Sequence, residues 1–221
     1  MQSNPNQISL KNSRFLTVLP YLIFLTGSFV YFGFFVDYIF FYQEKSALFI
    51  TSSDFLIENL HQPGGLLIYL GKFLSTFFYY PLAGAAIVST ILTLIVLTTS
   101  KIIGFLTGKR STVVPFIIGI LLFYLQTDYR FLLYNSFGVL IQLFFFYLSV
   151  RYIAFGKGWI PVLITPLMYF ATGSFVWLFC LMLTFYLVFE KERRGWIKIT
   201  TLLVVILITI YISKEFLFFS N

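Results

Sequence analysis

From Phe15 to residue 213 the chain returns repeatedly to apolar runs about as long as a bilayer is thick, and residues 81–100 hold no charged side chain at all. An α-helix needs about 20 apolar residues to cross a ~30 Å hydrocarbon core. In that medium no water receives backbone N–H and C=O groups, so a uniformly apolar run of this length must close its hydrogen bonds within itself, as a helix. Read in order, the runs predict seven crossings: 15–37, 81–106, 111–128, 131–153, two within 159–189, and 196–213. The fold class expected is therefore all-α, a polytopic membrane bundle forming one transmembrane domain over 1–221.

Composition points the same way. Hydrophobic residues make up 59% of the 221 and charged residues 10%, against ~45–50% and ~25% in soluble domains, which excludes a water-soluble globule. One cysteine, Cys180, and one histidine, His61, exclude a disulfide framework, a Cys/His metal cluster and a CxxC redox pair. The first apolar run exceeds the ~7–15 residues of a signal-peptide core and no small-x-small cleavage site follows it, so it reads as an uncleaved signal anchor.

Charge sets the orientation. With the N-terminus inside, the inner loops hold Lys11, Arg14, Lys101, Lys109, Arg110, Arg151, Lys157, Lys191, Arg193, Arg194 and Lys198, leaving Lys45, Lys72, Arg130 and Lys214 outside. Eleven against four is a positive-inside bias. Of the acids, Glu190 and Glu192 fall inside, and Asp37, Glu44, Asp54, Glu58, Asp128 and Glu215 outside or at the outer boundary. The net charge of +7 is thus a topology signal for an N-in, C-out chain, and nucleic acid is not an expected partner.

Two stretches depart from plain crossings. The segment 159–189 is too long for one, and Ala171-Thr172-Gly173-Ser174 interrupts it with helix-stop and N-cap chemistry. Two arms of about 15 residues rise only ~22 Å each, so the tip of this helical hairpin is expected below the outer surface, beside a recess open to water. The outer segment 38–80 is the only sizeable connection, and therefore the expected seat of function. Within it, Thr51-Ser52-Ser53-Asp54 reads as a capping box with Asp54 as a capping residue, opening a short helix that ends near His61, itself read as a solvated loop residue. After Pro63-Gly64-Gly65, the apolar positions Leu66, Leu70, Phe73, Leu74 and Phe77 predict an amphipathic interfacial helix. Pro81 suits the first turn of the next span.

Asp37 and Glu44 are seven residues apart, so on a continuous first helix both carboxylates would share a face, about 10 Å apart along the axis. Such acids could take a proton from an acceptor hydroxyl or hold a divalent metal ion; the alternative is a pair of solvated interface charges. Asn135, Gly138, Gln142 and Ser149 line one face of the 131–153 span, and Ala83, Ala86, Thr90 and Thr93 one face of 81–106, a pattern that serves helix packing before it serves a substrate pathway. Asp128 and Arg130 flank a tight turn and are placed to pair with each other. No phosphate-cradling glycine loop, Ser/His/Asp set, nucleophile elbow or zinc motif occurs.

The run Gln43-Glu44-Lys45-Ser46-Ala47-Leu48-Phe49, then Gln62-Pro63-Gly64-Gly65-Leu66-Leu67-Ile68-Tyr69-Leu70, then Phe77-Phe78-Tyr79-Tyr80-Pro81-Leu82-Ala83-Gly84, resembles the start of a bacterial family. That family consists of long, multi-spanning inner-membrane proteins of unknown function recurrent in Bacteroidota; the resemblance covers roughly 15–110 in detail and the rest by hydrophobic pattern. Such proteins are distantly similar to C-type membrane glycosyltransferases that use lipid-phosphate sugar donors. The resemblance implies that an acid of the first outer loop is catalytic base or metal contact, which falls on Glu44 first and Asp37 second. It also implies the bilayer, a lipid-phosphate-linked sugar and further membrane subunits as partners. Because the chain stops just after an outward crossing, it is compatible with an N-terminal portion, a shortened non-catalytic paralogue or one subunit of an assembly. A transporter or channel component and a purely structural subunit stay open beside the glycosyltransferase-like function.

Overall fold

The computed structural model describes residues 5–109, 111–154, 159–189 and 195–218. Arg110, Lys157, Glu190, Lys191, Glu192, Arg193, Arg194 and residues 219–221 lie outside the described residues, as do the side chains of Lys11, Arg14 and Lys214. Every described element is helical. In chain order these are α1 (Pro5–Val30), a π-helical stretch (Tyr31–Phe35), α2 (Tyr38–Ser46), α3 (Ser53–Leu60), α4 (Gly65–Ser75), a 3-10 turn (Thr76–Tyr79), α5 (Pro81–Thr107), α6 (Val113–Gln126), α7 (Leu133–Ala154), α8 (Ile160–Thr172), a 3-10 turn (Gly173–Phe175), α9 (Val176–Phe189) and α10 (Gly195–Phe218).

Four stretches are long and apolar enough to cross a membrane: Thr17–Phe35, Pro81–Thr107, Leu133–Ile153 and Ile160–Phe189. Gly65–Tyr79, Val113–Gln126 and Ile197–Ile212 are apolar but shorter. The fourth long stretch is not straight. Gly138 of α7 lies against Phe175 at its bend, Phe146 faces Tyr186 of α9 with ring centroids 6.4 Å apart, and Tyr152 shares a cavity with Ile160 of α8. Descending α7 therefore meets the end of α8 and then successive turns of α9, and the two arms fold back on each other at Gly173.

The remaining helices alternate in direction. Tyr21 of α1 donates to Ser100 Oγ of α5 at 2.8 Å, while Gly33 lies against Leu82 and Ala85 at the opposite end, so α1 and α5 are antiparallel. α5 and α7 run parallel, sharing a cavity from Leu94 and Leu140 down to Lys101 and Tyr147. Among the described residues, Lys101, Lys109 and Arg151 thus sit at one end of the bundle, and Asp37, Glu44, Asp54, Glu58 and Asp128 at the other.

At the acidic end, α4 is held against the bundle through Gly65, Leu67, Gly71 and Ser75, which are buried, and leaves Leu66, Phe73 and Phe77 exposed, the outward apolar face that an interfacial helix requires. Gly71 is the contact point with α7, where a Cβ would stand 2.5 Å from Tyr134 Cβ. Burial here follows residue size instead of hydropathy, as expected when small residues let helices approach and larger apolar ones face outward. On α5, Gly84, Ala85 and Ser89 are buried together with Val88, Ile91, Leu92 and Ile95, and of the expected face Thr93 is buried and Ala83 half-buried while Ala86 and Thr90 are exposed.

The recess expected at the hairpin tip is filled at Thr172 and Gly173, while Ser174 is exposed. Thr172 and Gly173 are buried beneath the Pro63-Gly64 turn: Gly64 N–H donates to Phe170 O at 2.9 Å, and a Cβ on Gly173 would stand 3.0 Å from Pro63 O and 3.1 Å from Gly64 Cα. Both glycines have positive φ, +84° at Gly64 and +61° at Gly173, a region that L side chains enter at a cost of about 1–3 kcal/mol. Two left-handed turns pressed backbone to backbone leave no room for a side chain on either. Gly173→Ala should therefore lower stability by at least ~1–3 kcal/mol, while Gly27→Ala, where a Cβ meets nothing within 4 Å, should be neutral or slightly stabilising. Thermal unfolding of the detergent-solubilised protein checks the contrast, and equal melting temperatures for the two variants would contradict it.

Candidate functional site

The acidic end is built on α2. The first helix does not continue into it: after the π-helical stretch, Val36 takes φ −136° and ψ 29°, and α2 restarts behind Asp37. This break turns Ile39, Phe40 and Gln43 inward. Phe40 packs on Phe78 with ring centroids 4.8 Å apart and lies near Phe32, three aromatic side chains all fully buried. The break falls before Asp37, so the expected continuous first helix is interrupted, while Asp37 at the N-cap and Glu44 in the last turn stay seven residues apart on the one helix α2. Asp37 is exposed at the start of α2 and makes no side-chain capping bond. Glu44, half-buried in the last turn, and Asp37 alike have no hydrogen-bond or ion-pair partner among the described residues.

Beside Glu44, Gln43 anchors the helix. Its side chain is fully buried and Nε2 donates to Phe131 O at 3.0 Å. Gln126 Nε2 donates to the same carbonyl at 3.2 Å, and Ser136 Oγ donates to Gln126 Oε1 at 2.8 Å. α2, the end of α6 and the start of α7 are thus tied to one turn carbonyl, which is why Glu44 has a fixed backbone. Gln43 Oε1 is buried without a partner. The sequence reading missed this cluster; its signal was two glutamines at the ends of apolar runs, where an amide is kept only if it finds a bond.

The turn between α6 and α7 holds Asp128 and Arg130 differently from a pair. Asp128 Oδ1 accepts from the Arg130 backbone N–H at 2.9 Å, and the Arg130 side chain donates through Nε to Tyr129 Oη at 3.1 Å. That bond holds the guanidinium above its ordinary pKa. At α3 the cap is Ser52, whose hydroxyl accepts from Phe55 N–H at 3.1 Å, with Asp54 in the first turn. Asp54 there faces the positive end of the helix dipole instead of capping it. His61 is exposed and its Nδ1 lies 2.6 Å from Ile57 O.

On α7 the polar face is consumed by packing on the hairpin. Gln142, fully buried, donates from Nε2 to Thr172 Oγ1 at 2.7 Å, and Thr172 donates onward to Met168 O at 2.7 Å; Gln142 Oε1 is unpartnered. Ser149 lines a cavity of about 190 Å³ with Met168 and Phe179. Among the described residues no group of three or more His, Cys, Asp or Glu could hold a metal ion.

The class that these features define is an all-helical protein with membrane-length apolar helices and a first connection folded back onto the bundle. The chain belongs to DUF6057, a family of unknown function whose model matches residues 12–221, a range that takes in the hairpin and α10 as well as the first hundred residues. No curated protein and no solved structure matches it.

The Gln142–Thr172 bond makes a graded prediction. Thr172→Val leaves the buried Gln142 amide with neither group bonded and should cost about 1–3 kcal/mol. Gln142→Met leaves the Thr172 hydroxyl its donation to Met168 and should cost less. Melting temperatures of the two variants and of the double variant check this; equal losses from the two single changes would contradict it.

Proposed function

We propose that this chain is a seven-span inner-membrane protein, N-in and C-out, that acts at the extracytoplasmic face on a lipid-phosphate-linked sugar, with Glu44 as the reacting acid. The observation that carries the reading is the state of Glu44: a half-buried carboxylate without a partner among the described residues, on a helix whose next residue, Gln43, is fully buried and bonded. A fixed backbone beneath a free carboxylate is the arrangement a general base needs, since its position is set before substrate arrives. In the proposed step the Glu44 carboxylate takes the proton of an acceptor hydroxyl. The hydroxyl oxygen bonds to the anomeric carbon, and the lipid phosphate leaves with the bonding electron pair. No step runs through a metal.

The sorting of charge supports the orientation: the described acids Asp37, Glu44, Asp54, Glu58 and Asp128 lie at the end of the connection bearing Glu44, together with Lys45, Lys72 and Arg130, and Lys101, Lys109 and Arg151 lie at the end that would face the cytoplasm. Packing of Gly138 and Gln142 against the hairpin favours this reading over a transport pathway along that face.

A reporter fused after Asn221 should be active outside the cytoplasm, and cytoplasmic activity there would overturn the orientation or the number of spans. Glu44→Gln keeps shape and removes the base. It should lower sugar transfer by a factor of about 10²–10⁴ while the protein accumulates and melts as wild type; transfer at the wild-type rate would remove Glu44 from the mechanism.

A further inference from the structure

At the opposite end of the bundle, two apolar grooves share one wall. The larger, about 740 Å³, lies between α1 and α5; the smaller, about 400 Å³, lies between α5 and α7. Leu97, Lys101 and Tyr147 line both. Lys101 is exposed on the helix between the two, and no hydrogen bond or ion pair holds its ammonium among the described residues. One turn beyond Tyr147, Arg151 places its guanidinium 6.0 Å from the centre of the Tyr147 ring, leaving a second exposed cation beside the same wall. Elsewhere on these walls the side chains are largely aliphatic or aromatic, among them Leu22, Leu25, Leu140 and Phe144.

We propose that the two grooves and Lys101 form a site for one anionic diacyl phospholipid, its two chains astride Leu97 and Tyr147 and its phosphate against Lys101 and Arg151. The inference rests on the membrane reading above but not on Glu44. A single-chain amphiphile fills one groove only. A zwitterionic headgroup brings its own cation against two others. A monoanionic lipid with two chains satisfies both the charge and the paired shape, and basic residues between helix ends at the cytoplasmic boundary recognise such headgroups.

The full chain, in nanodiscs containing equal phosphatidylglycerol and phosphatidylcholine, is delipidated in mild detergent and its retained lipid measured by native mass spectrometry. The wild type should retain phosphatidylglycerol about thirtyfold over phosphatidylcholine, the preference expected of two basic residues at an anionic headgroup. Lys101→Gln, which leaves Arg151, should bring the ratio down to about fivefold. Gly104→Leu fills the larger groove at a position where a Cβ meets nothing within 4 Å, and should reduce retention of both lipids while leaving the melting temperature unchanged. Equal retention of the two lipids by the wild type, or an unchanged ratio in Lys101→Gln, overturns the site. Recovery of the wild type in the aqueous phase after alkaline carbonate extraction overturns the membrane reading instead, so the two failures are distinguishable.

Discussion

Two short helical arms that meet at a turn leave peptide groups in need of partners, and the first connection of this fold supplies them to the tip of the hairpin. α8 and α9 have 13 and 14 residues, a rise of about 20 Å each, so in a membrane of ordinary thickness their junction at Gly173 falls short of the surface. Lipid cannot satisfy the peptide groups exposed there. The Pro63-Gly64 turn descends to cover them, and the Gly64 N–H bonds to Phe170 O at the end of α8. With that contact in place α4 packs against both α7 and α8, and small residues at Gly71 and Gly138 allow the approach.

Much of this was legible in the sequence, and the failures have one physical cause. The helix runs, the break at Gly173, the helix ending at His61 and the proline opening α5 all follow from local chemistry that a bilayer does not alter. The faces do not. Leu66, Phe73 and Phe77 carry the apolar signal of α4 and are exposed, because in an apolar solvent hydropathy no longer tells inside from outside. On α5 the packing face runs through Gly84, Ala85, Ser89 and Thr93 beside Val88, Leu92 and Ile95, so of the expected face Thr93 is buried and Ala86 and Thr90 are exposed. Gln142 was legible for the opposite reason: a fully buried amide stands out in any solvent.

The site was harder to read than the fold. Glu44 and Asp37 keep their seven-residue spacing on α2, but the first helix does not run on into it, and nothing in Tyr31-Phe32-Gly33-Phe34-Phe35 announces a π-helical stretch followed by a break at Val36. The break follows from packing: it brings Phe40 onto Phe78 and Gln43 onto the Phe131 carbonyl. Those contacts, distant in sequence, are what hold the backbone of Glu44. The open recess expected near Thr172 is absent for a related reason, since the expectation weighed water against lipid and the chain answered with its own residues 63 and 64.

Amide hydrogen exchange at Gly64 tests the clamp most directly. This residue lies in a turn between two short helices, where an unpaired amide would exchange at the rate of a free loop. With its N–H bonded to Phe170 O and its Cα against Gly173, it should exchange as slowly as the interior of α4. Exchange at Gly64 as fast as at an unstructured peptide amide, with α4 and α8 still protected, would show that the connection does not close the hairpin and would contradict the account.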